Sequence, residues 1–278
     1  MSETKSQILS GVPETMLITL YLRAMESQRP DALIKDEKAV VLVRQMSYDF
    51  DRVRQIPLSQ ANKLVIILRN RELDRYTQDF LGRHPEAVVV HIGCGLDSRF
   101  ERVAEHYDQV EWYDLDFPDV IELRRKLMGD EGERHHLLGC SVLEDAWLDT
   151  VRAHRQRPKL FLAEGVFMYF EGAQVKRLVL RLRDHFPGSE LVFDAYSPFH
   201  VWVHNLQTYN SKIHTRVHWG IWRGQEIEKW GTDIRLLDEW GYLDSPEPRT
   251  AYIRWLRPLE SLFRTMRIYH FQLGKAAG

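Results

Sequence analysis

Apolar residues along the chain follow two rhythms, and the change between them divides the sequence. Over 14–28, Met16, Leu17, Leu20 and Ala24 recur at three- and four-residue spacing, and 60–82 repeats that texture, so both stretches predict helices. The first block reads as helical throughout. From Ala87 the pattern changes: AVVVHIG (87–93) is a continuous apolar run of β-branched residues ending in glycine, the signature of a buried parallel strand. Runs of the same kind return at 110–116 (VEWYDLD), 159–164 (KLFLAE) and 189–195 (SELVFDA), with helical patterns between them. In 171–186, Val175, Leu178, Val179, Leu182 and Phe186 mark one apolar face, and Pro187-Gly188 stops the helix. Residues 266–273 alternate Tyr269, Phe271 and Leu273 with more polar neighbours, as a late strand close to a sheet edge does.

Strand alternating with helix predicts an α/β fold with an open, doubly wound, Rossmann-like parallel sheet, whose ligand crevice lies at the carboxyl ends of the strands. The expected division is a helical N-terminal cap over 1–84 and a core over 85–278. Within the core, 199–235 is rich in Trp, His and Tyr, follows directly on a strand end and reads as a substrate cover. Leu243 to Thr250 (LDSPEPRT) reads as a loop.

Charge and composition narrow the partners. With 38 Lys and Arg against 40 Asp and Glu in 278 residues, the net charge of −2 offers no broad cationic field for nucleic acid. Two cysteines, Cys94 and Cys140, are too few for a disulfide framework or a four-cysteine zinc site, which points to a reducing compartment. No stretch has the apolar run of a signal peptide or membrane span, so a cytoplasmic protein acting on a small molecule is expected, its oligomeric state unread. The aromatic content suits a pocket for a flat organic molecule and suits a packed core equally.

The sharpest motif is VVVHIGCGLDSR (88–99), a buried strand running into Gly93-Cys94-Gly95 and then towards a helix. Gly93 and Gly95 let the backbone approach a ligand, although any sharp strand-to-helix turn uses glycine in the same way. The second strand ends at Asp116, 21 residues after Gly95, the separation at which a strand-end acid meets ribose hydroxyls. A dinucleotide turn needs a third glycine; here Ser98 stands in its place, behind Asp97. An anion there opposes a pyrophosphate and accepts bonds from an ammonium, which favours S-adenosylmethionine over NAD, while helix capping by Asp97 explains it as well.

The segments ETMLITLYLRAMESQRPDALIKDEKA (14–39), LRNRELDRYTQDFLGRHPEAVVVHIGCGLDSRF (68–100), WYDLDFPDVIELRRKL (112–127) and AEGVFMYF (163–170) closely resemble the leucine carboxyl methyltransferase family. Within it they are most similar to a bacterial branch of polyketide carboxyl O-methyltransferases, over about residues 13 to 273. The resemblance implies a class I methyltransferase sheet with a helical cap, S-adenosylmethionine as cofactor and methyl transfer to a carboxylate. It implies that Arg69 grips the cofactor's carboxylate, with Arg71 as rival, and that Arg23 reaches the same end of the cofactor or the substrate. It implies that Asp116, preceding Phe117-Pro118, binds ribose; strand parity alone does not separate it from Asp114. Ser141 and Val142 match the stretch that contacts adenine, where the leucine-specific members often carry an acid in place of Ser141.

Glu164 closes the fourth predicted strand and an apolar turn leads on to Tyr169, which makes these two the candidate catalytic residues. A strand-end carboxylate there stabilises the sulfonium or holds the cover. A base is not required, because a carboxylic acid is already ionised at neutral pH. The histidines, His135-His136 included, read as surface or core residues, and no metal-ligand spacing occurs. The remaining readings are a non-catalytic cofactor-binding protein, a methyltransferase acting on a protein C-terminus, and an NAD-dependent oxidoreductase, the last weakened by the absent third glycine.

Overall fold

A computed structural model describes residues 14–56, 58–129, 132–208 and 216–275. Four helices precede the first strand: α1 (Glu14–Ser27), α2 (Glu37–Gln45), α3 (Asp51–Arg54) and α4 (Gln60–Arg83). Two of them start on side-chain caps, with Asp36 accepting from the Ala39 N–H and Ser59 from the Asn62 N–H. The apolar stripe read at Leu17, Leu20 and Ala24 is fully buried and meets Ala39, Leu42 and Ile67 in a small core of its own. Leu96 and Leu123 join that core from the sheet side.

Helix α4 serves two layers. Its second half places Leu73, Tyr76, Phe80 and Leu81 against Val89, Trp112, Leu160 and Val192 of the sheet. The expected boundary at residue 84 therefore falls after a helix that already covers one face of the sheet.

Among the described residues, seven strands form one sheet in the order β3-β2-β1-β4-β5-β7-β6. They are β1 (Val88–Ile92), β2 (Glu111–Asp116), β3 (His135–Gly139), β4 (Lys159–Ala163), β5 (Ser189–Tyr196), β6 (Ile234–Gly241) and β7 (Met266–Leu273). β1 to β5 are parallel, and β7 runs antiparallel between β5 and β6. The central strands β1 and β4 are buried along their whole length, which is why they read as unbroken apolar runs. Chain order reverses between β1 and β4, and a crevice opens at such a switch point. The crossovers carry α5 (Arg99–Val103), α6 (Pro118–Met128), α7 (Leu148–Arg152) and α8 (Gly172–His185). Val175, Leu178, Val179 and Leu182 of α8 are buried with Phe161, Leu191 and Phe271 beneath them. Each such side chain contributes roughly 1.5–3 kcal/mol when fully buried.

Beyond β5 the chain forms α9 (Pro198–Thr208) and α10 (Gln225–Glu228), and the part of the expected cover at 209–215 lies outside the described residues. Residues 216–222 are a strap seated in the core: Val217, Trp219 and Ile221 are buried, alternating with more exposed neighbours. The predicted loop at 243–250 consists largely of 3₁₀ turns, Tyr242–Asp244 and the start of Pro248–Leu256, followed by α11 (Arg257–Phe263). No described helix is long and apolar enough to cross a membrane.

Candidate active site

A cavity of about 470 Å³ opens where β1 and β4 part, at the carboxyl ends of the strands. All eleven candidate residues read from the sequence line it. Arg23 and Arg69 come from the helical layer and Gly93, Gly95 and Asp97 from the turn after β1. Asp116 and Phe117 end β2, Ser141 and Val142 follow β3, and Glu164 and Tyr169 follow β4.

The glycine turn is held by its own conformation. Gly93 has φ +67° and Gly95 φ +50°, in the left-handed region that side chains rarely adopt. A Cβ on Gly93 would stand 2.4 Å from Val166 Cγ2, and one on Gly95 2.9 Å from Met16 Sδ. Both blocking atoms belong to residues lining the cavity, so the glycines let the turn, the cap and the β4 loop close on the same space. The 21-residue separation has a direct meaning: Asp116 Oδ2 accepts from the Gly95 N–H at 2.8 Å, while Oδ1 accepts from the Phe117 N–H at 2.8 Å. Burial pushes the Asp116 carboxyl above its ordinary value, and these two bonds oppose that rise. Asp114 is placed elsewhere. It is fully buried, accepting from Trp112 Nε1 and Arg124 and pairing with His135 Nε2 at 2.7 Å. Arg124 in turn donates to the Gly95 carbonyl at 3.1 Å and the Asp97 carbonyl at 2.6 Å, bracing the turn from below.

Arg69 faces the cavity and Arg71 does not; Arg71 donates to Ser245 Oγ at 2.8 Å, outside the cavity lining. Arg69 donates from Nε to Glu164 Oε1 at 3.0 Å and from Nη1 to Asp194 Oδ2 at 3.0 Å, and its Nη2 lies 2.9 Å from the same Glu164 oxygen. Two of the five guanidinium N–H groups are hydrogen-bonded, which leaves N–H groups on both terminal nitrogens. Those nitrogens approach the open face of Gly165, where a Cβ would stand 3.7 Å away.

Glu164 is a held anion. Besides Arg69 it accepts from Asn70 Nδ2 at 2.7 Å and from Arg99 Nη2 at 2.6 Å. Burial alone would raise its pKa, but Arg69 and Arg99 outweigh burial and set the net shift downward. Asp97 is likewise not a bare anion. It accepts from Arg102 Nη1 at 2.7 Å, with Arg99 Nη2 at 3.3 Å and Arg23 Nε at 3.8 Å, and these cations overcome a large desolvation to hold it well below the usual carboxylate range. Nor does it cap α5, whose N-cap is Ser98. Arg23 donates from Nη2 to the Leu96 carbonyl at 2.8 Å, which ties α1 to the turn.

The opposite wall is adapted to flat groups. Phe117 is 54% exposed, while the Ser141 oxygen accepts from the Leu143 N–H at 3.2 Å and keeps its own O–H to donate. Sequence reasoning missed Asp194 and Tyr196, although both sit at the end of a strand whose carboxyl terminus was expected to face the crevice. It also missed Arg99, whose partners lie in three other elements and leave no local pattern.

The fit to S-adenosylmethionine follows from this donor set: a strand-end carboxylate for the ribose, an exposed aromatic for the adenine and guanidinium N–H groups for the methionyl carboxylate. Behind the cavity, Arg23, Arg69, Arg99 and Arg102 form one ion-pair network with Asp36, Asp74, Asp97, Glu164 and Asp194.

The sequence model of the leucine carboxyl methyltransferase family matches residues 16–182. The chain belongs to this family. It is 36% identical over 255 residues to the tetracenomycin polyketide synthesis O-methyltransferase TcmP of Streptomyces glaucescens, covering 91% of this chain and 89% of that one. It is 34% identical over 200 residues to the S-adenosyl-L-methionine-dependent methyltransferase dpfgK of Gibberella zeae, 67% of each chain. Among solved structures, a Thermobifida fusca protein superposes with TM-score 0.58 at 18% identity, covering 92% of this chain and 94% of that one. Magnesium protoporphyrin IX methyltransferase (ChlM) of Synechocystis PCC 6803, solved with S-adenosylhomocysteine, superposes with TM-score 0.51 at 14% identity, covering 87% and 100%. The chain is a methyltransferase of the class I fold, with S-adenosylmethionine as its cofactor.

Proposed function

We propose that this methyltransferase acts on the carboxylate of a small-molecule acid of polyketide type. The observation that carries the reading is the chemistry of the cavity beside Arg69. Tyr169 and Tyr196 bring O–H donors there, and burial raises both pKa values, that of Tyr196 to about 12, so both stay protonated. Glu164 and Asp194 are engaged by arginine, and His200, behind Tyr196, is lowered by burial to about 4. Beside Arg69 the site thus offers donors to an anion, while the carboxylates there are already held by arginine. A carboxylate acceptor needs no base, being ionised at neutral pH. The identity with a polyketide synthesis O-methyltransferase supports the acceptor class.

S-adenosylmethionine, when bound, supplies an electrophilic methyl group on a sulfonium. Asp116 holds the ribose, while Phe117, Ser141 and Val142 border the adenine. Arg69 grips the methionyl carboxylate with the N–H groups left on its terminal nitrogens, a fork that an ammonium does not reproduce. Arg23 and Asp97 flank the same end, and Glu164 keeps Arg69 in place while its negative charge favours the sulfonium. Catalysis then rests on alignment and exclusion of water. The test is incubation with methyl-labelled S-adenosylmethionine and a panel of aromatic polyketide acids. The expected product releases its label as methanol in mild alkali, at a rate that is flat between about pH 8 and pH 6. An alkali-stable product overturns the carboxyl assignment.

A further inference from the structure

We infer that Tyr196, together with Tyr169, forms a hydroxyl fork that grips the acceptor's carboxylate and selects an acid over a neutral molecule of the same shape. The inference rests on the carboxyl reading above and names the residue that reads the charge.

Tyr196 is the last residue of β5, two positions after Asp194, so the two share one face of the strand. That face meets Arg69, which bonds Asp194 at 3.0 Å. Tyr169 arrives from the 3₁₀ turn after β4 (Phe167–Tyr169), and both tyrosines line the cavity. Both tyrosines share the cavity wall with Arg69 and Glu164. Neither hydroxyl has a hydrogen-bond partner among the described residues, whereas the buried Tyr76 hydroxyl, for comparison, donates to Asp238 at 2.7 Å. Tyr196 is partly buried and Tyr169 is 39% exposed, so a ligand in the cavity can supply the acceptor that the described residues do not.

The Tyr196 ring is fixed from behind. His200 of α9 lies 4.5 Å away between ring centroids and His204 5.9 Å away, and the Tyr196 carbonyl accepts from the Ile221 N–H of the strap at 2.9 Å. A donor held this firmly loses little freedom on binding.

The chemistry explains the use of two O–H donors. They hold one carboxylate oxygen and leave the other to attack. The new O–CH₃ bond forms as the S–CH₃ bond breaks, the bonding pair stays on sulfur, and a carboxylate and a sulfonium become an ester and a thioether with no proton moved. The neutral ester accepts weaker hydrogen bonds than the anion it replaces, so the same fork releases product.

The experiment measures equilibrium binding of 1-naphthoate and of uncharged 1-naphthamide to protein saturated with S-adenosylhomocysteine. The parent is expected to favour the acid, and Tyr196→Phe to bind the acid about 10-fold more weakly with the amide unchanged. Affinity for S-adenosylhomocysteine and the melting temperature of Tyr196→Phe should match the parent. A parent that prefers the acid and a variant that retains that preference overturn the role of Tyr196 and leave the carboxyl reading standing. A parent indifferent between the two overturns the carboxyl reading itself. Loss of S-adenosylhomocysteine affinity in the variant assigns Tyr196 to the cofactor and also overturns the inference.

Discussion

Asp116 shows how much one residue conveys when chain position and geometry agree. Its place at a strand end, 21 residues after Gly95, was readable because crossover length fixes where such a carboxylate arrives, whereas strand parity puts Asp114 on the same face. The structure adds that each oxygen already takes one backbone N–H, so the carboxylate is oriented before any ligand binds. Asp116→Ala should weaken S-adenosylhomocysteine binding by about 1–3 kcal/mol, the worth of hydrogen bonds to a charged acceptor. Titration calorimetry checks this, and an unchanged affinity sinks the ribose assignment. Arg99 marks the limit of such reading. Its guanidinium joins Asp74, Asp97 and Glu164 from three different elements, and no spacing in the sequence encodes a meeting of that kind.

At the scale of elements, the strands that could be read are those buried on both faces. β1, β4 and β5 are apolar because helices cover them, and β2 and β7 follow the same logic with a few polar positions. The two sheet edges were illegible. β3 carries His135 and His136, which pair with Asp114 and Glu111, and β6 is mostly solvent-facing, with a bulge between Leu236 and Asp238. The docking of the helical layer was equally invisible, and it turns on one carboxylate. Asp36 caps α2 through the Ala39 N–H and accepts from Arg23 of α1 at 2.8 Å, Arg102 of α5 at 2.9 Å and Ser98 Oγ at 2.6 Å. Burial pushes its pKa up, but the two arginines outweigh that and keep it ionised. Asp36→Ala removes one shared acceptor from two guanidinium groups that keep Asp74, Asp97 and the Leu96 carbonyl, and should cost about 1–3 kcal/mol in urea denaturation. Asp36→Asn preserves the cap, so the difference between the variants isolates the helix start from the ion pairs. Equal losses in the two variants assign the whole effect to charge, and losses below about 1 kcal/mol in both remove Asp36 from the docking of the cap.

Across the whole molecule, a net charge of −2 conceals a buried lattice of ions, and acid should expose it. Asp36, Asp97, Asp114, Glu164 and Glu190 all have folded pKa values below their ordinary ones. A depressed carboxyl contributes stability that is fully present above its unfolded pKa and is lost as pH falls through its folded pKa. Asp116, Asp194 and Glu260 are raised and act in the opposite sense, costing stability at neutral pH and relieving it in acid. The depressed set is larger, so the melting temperature should fall steeply below about pH 4.5. Glu190 gives the cleanest measure because it lies in β5 away from the cavity lining, held by Arg83 at 2.9 Å and His270 at 2.7 Å. Burial opposes its ionisation, yet the hydrogen bonds from His270 and Arg83 bring its pKa down from 4.5 to about 2. With Arg83 half exposed and screened, that shift is worth roughly 2–3 kcal/mol, lost between about pH 4.5 and pH 2. Glu190→Gln should be less stable than the parent at pH 7, and the gap should narrow as pH falls through that window. Melting curves collected from pH 7 to pH 2.5 test this, and a constant gap between parent and variant would show that the Glu190 carboxylate does not drive the acid transition.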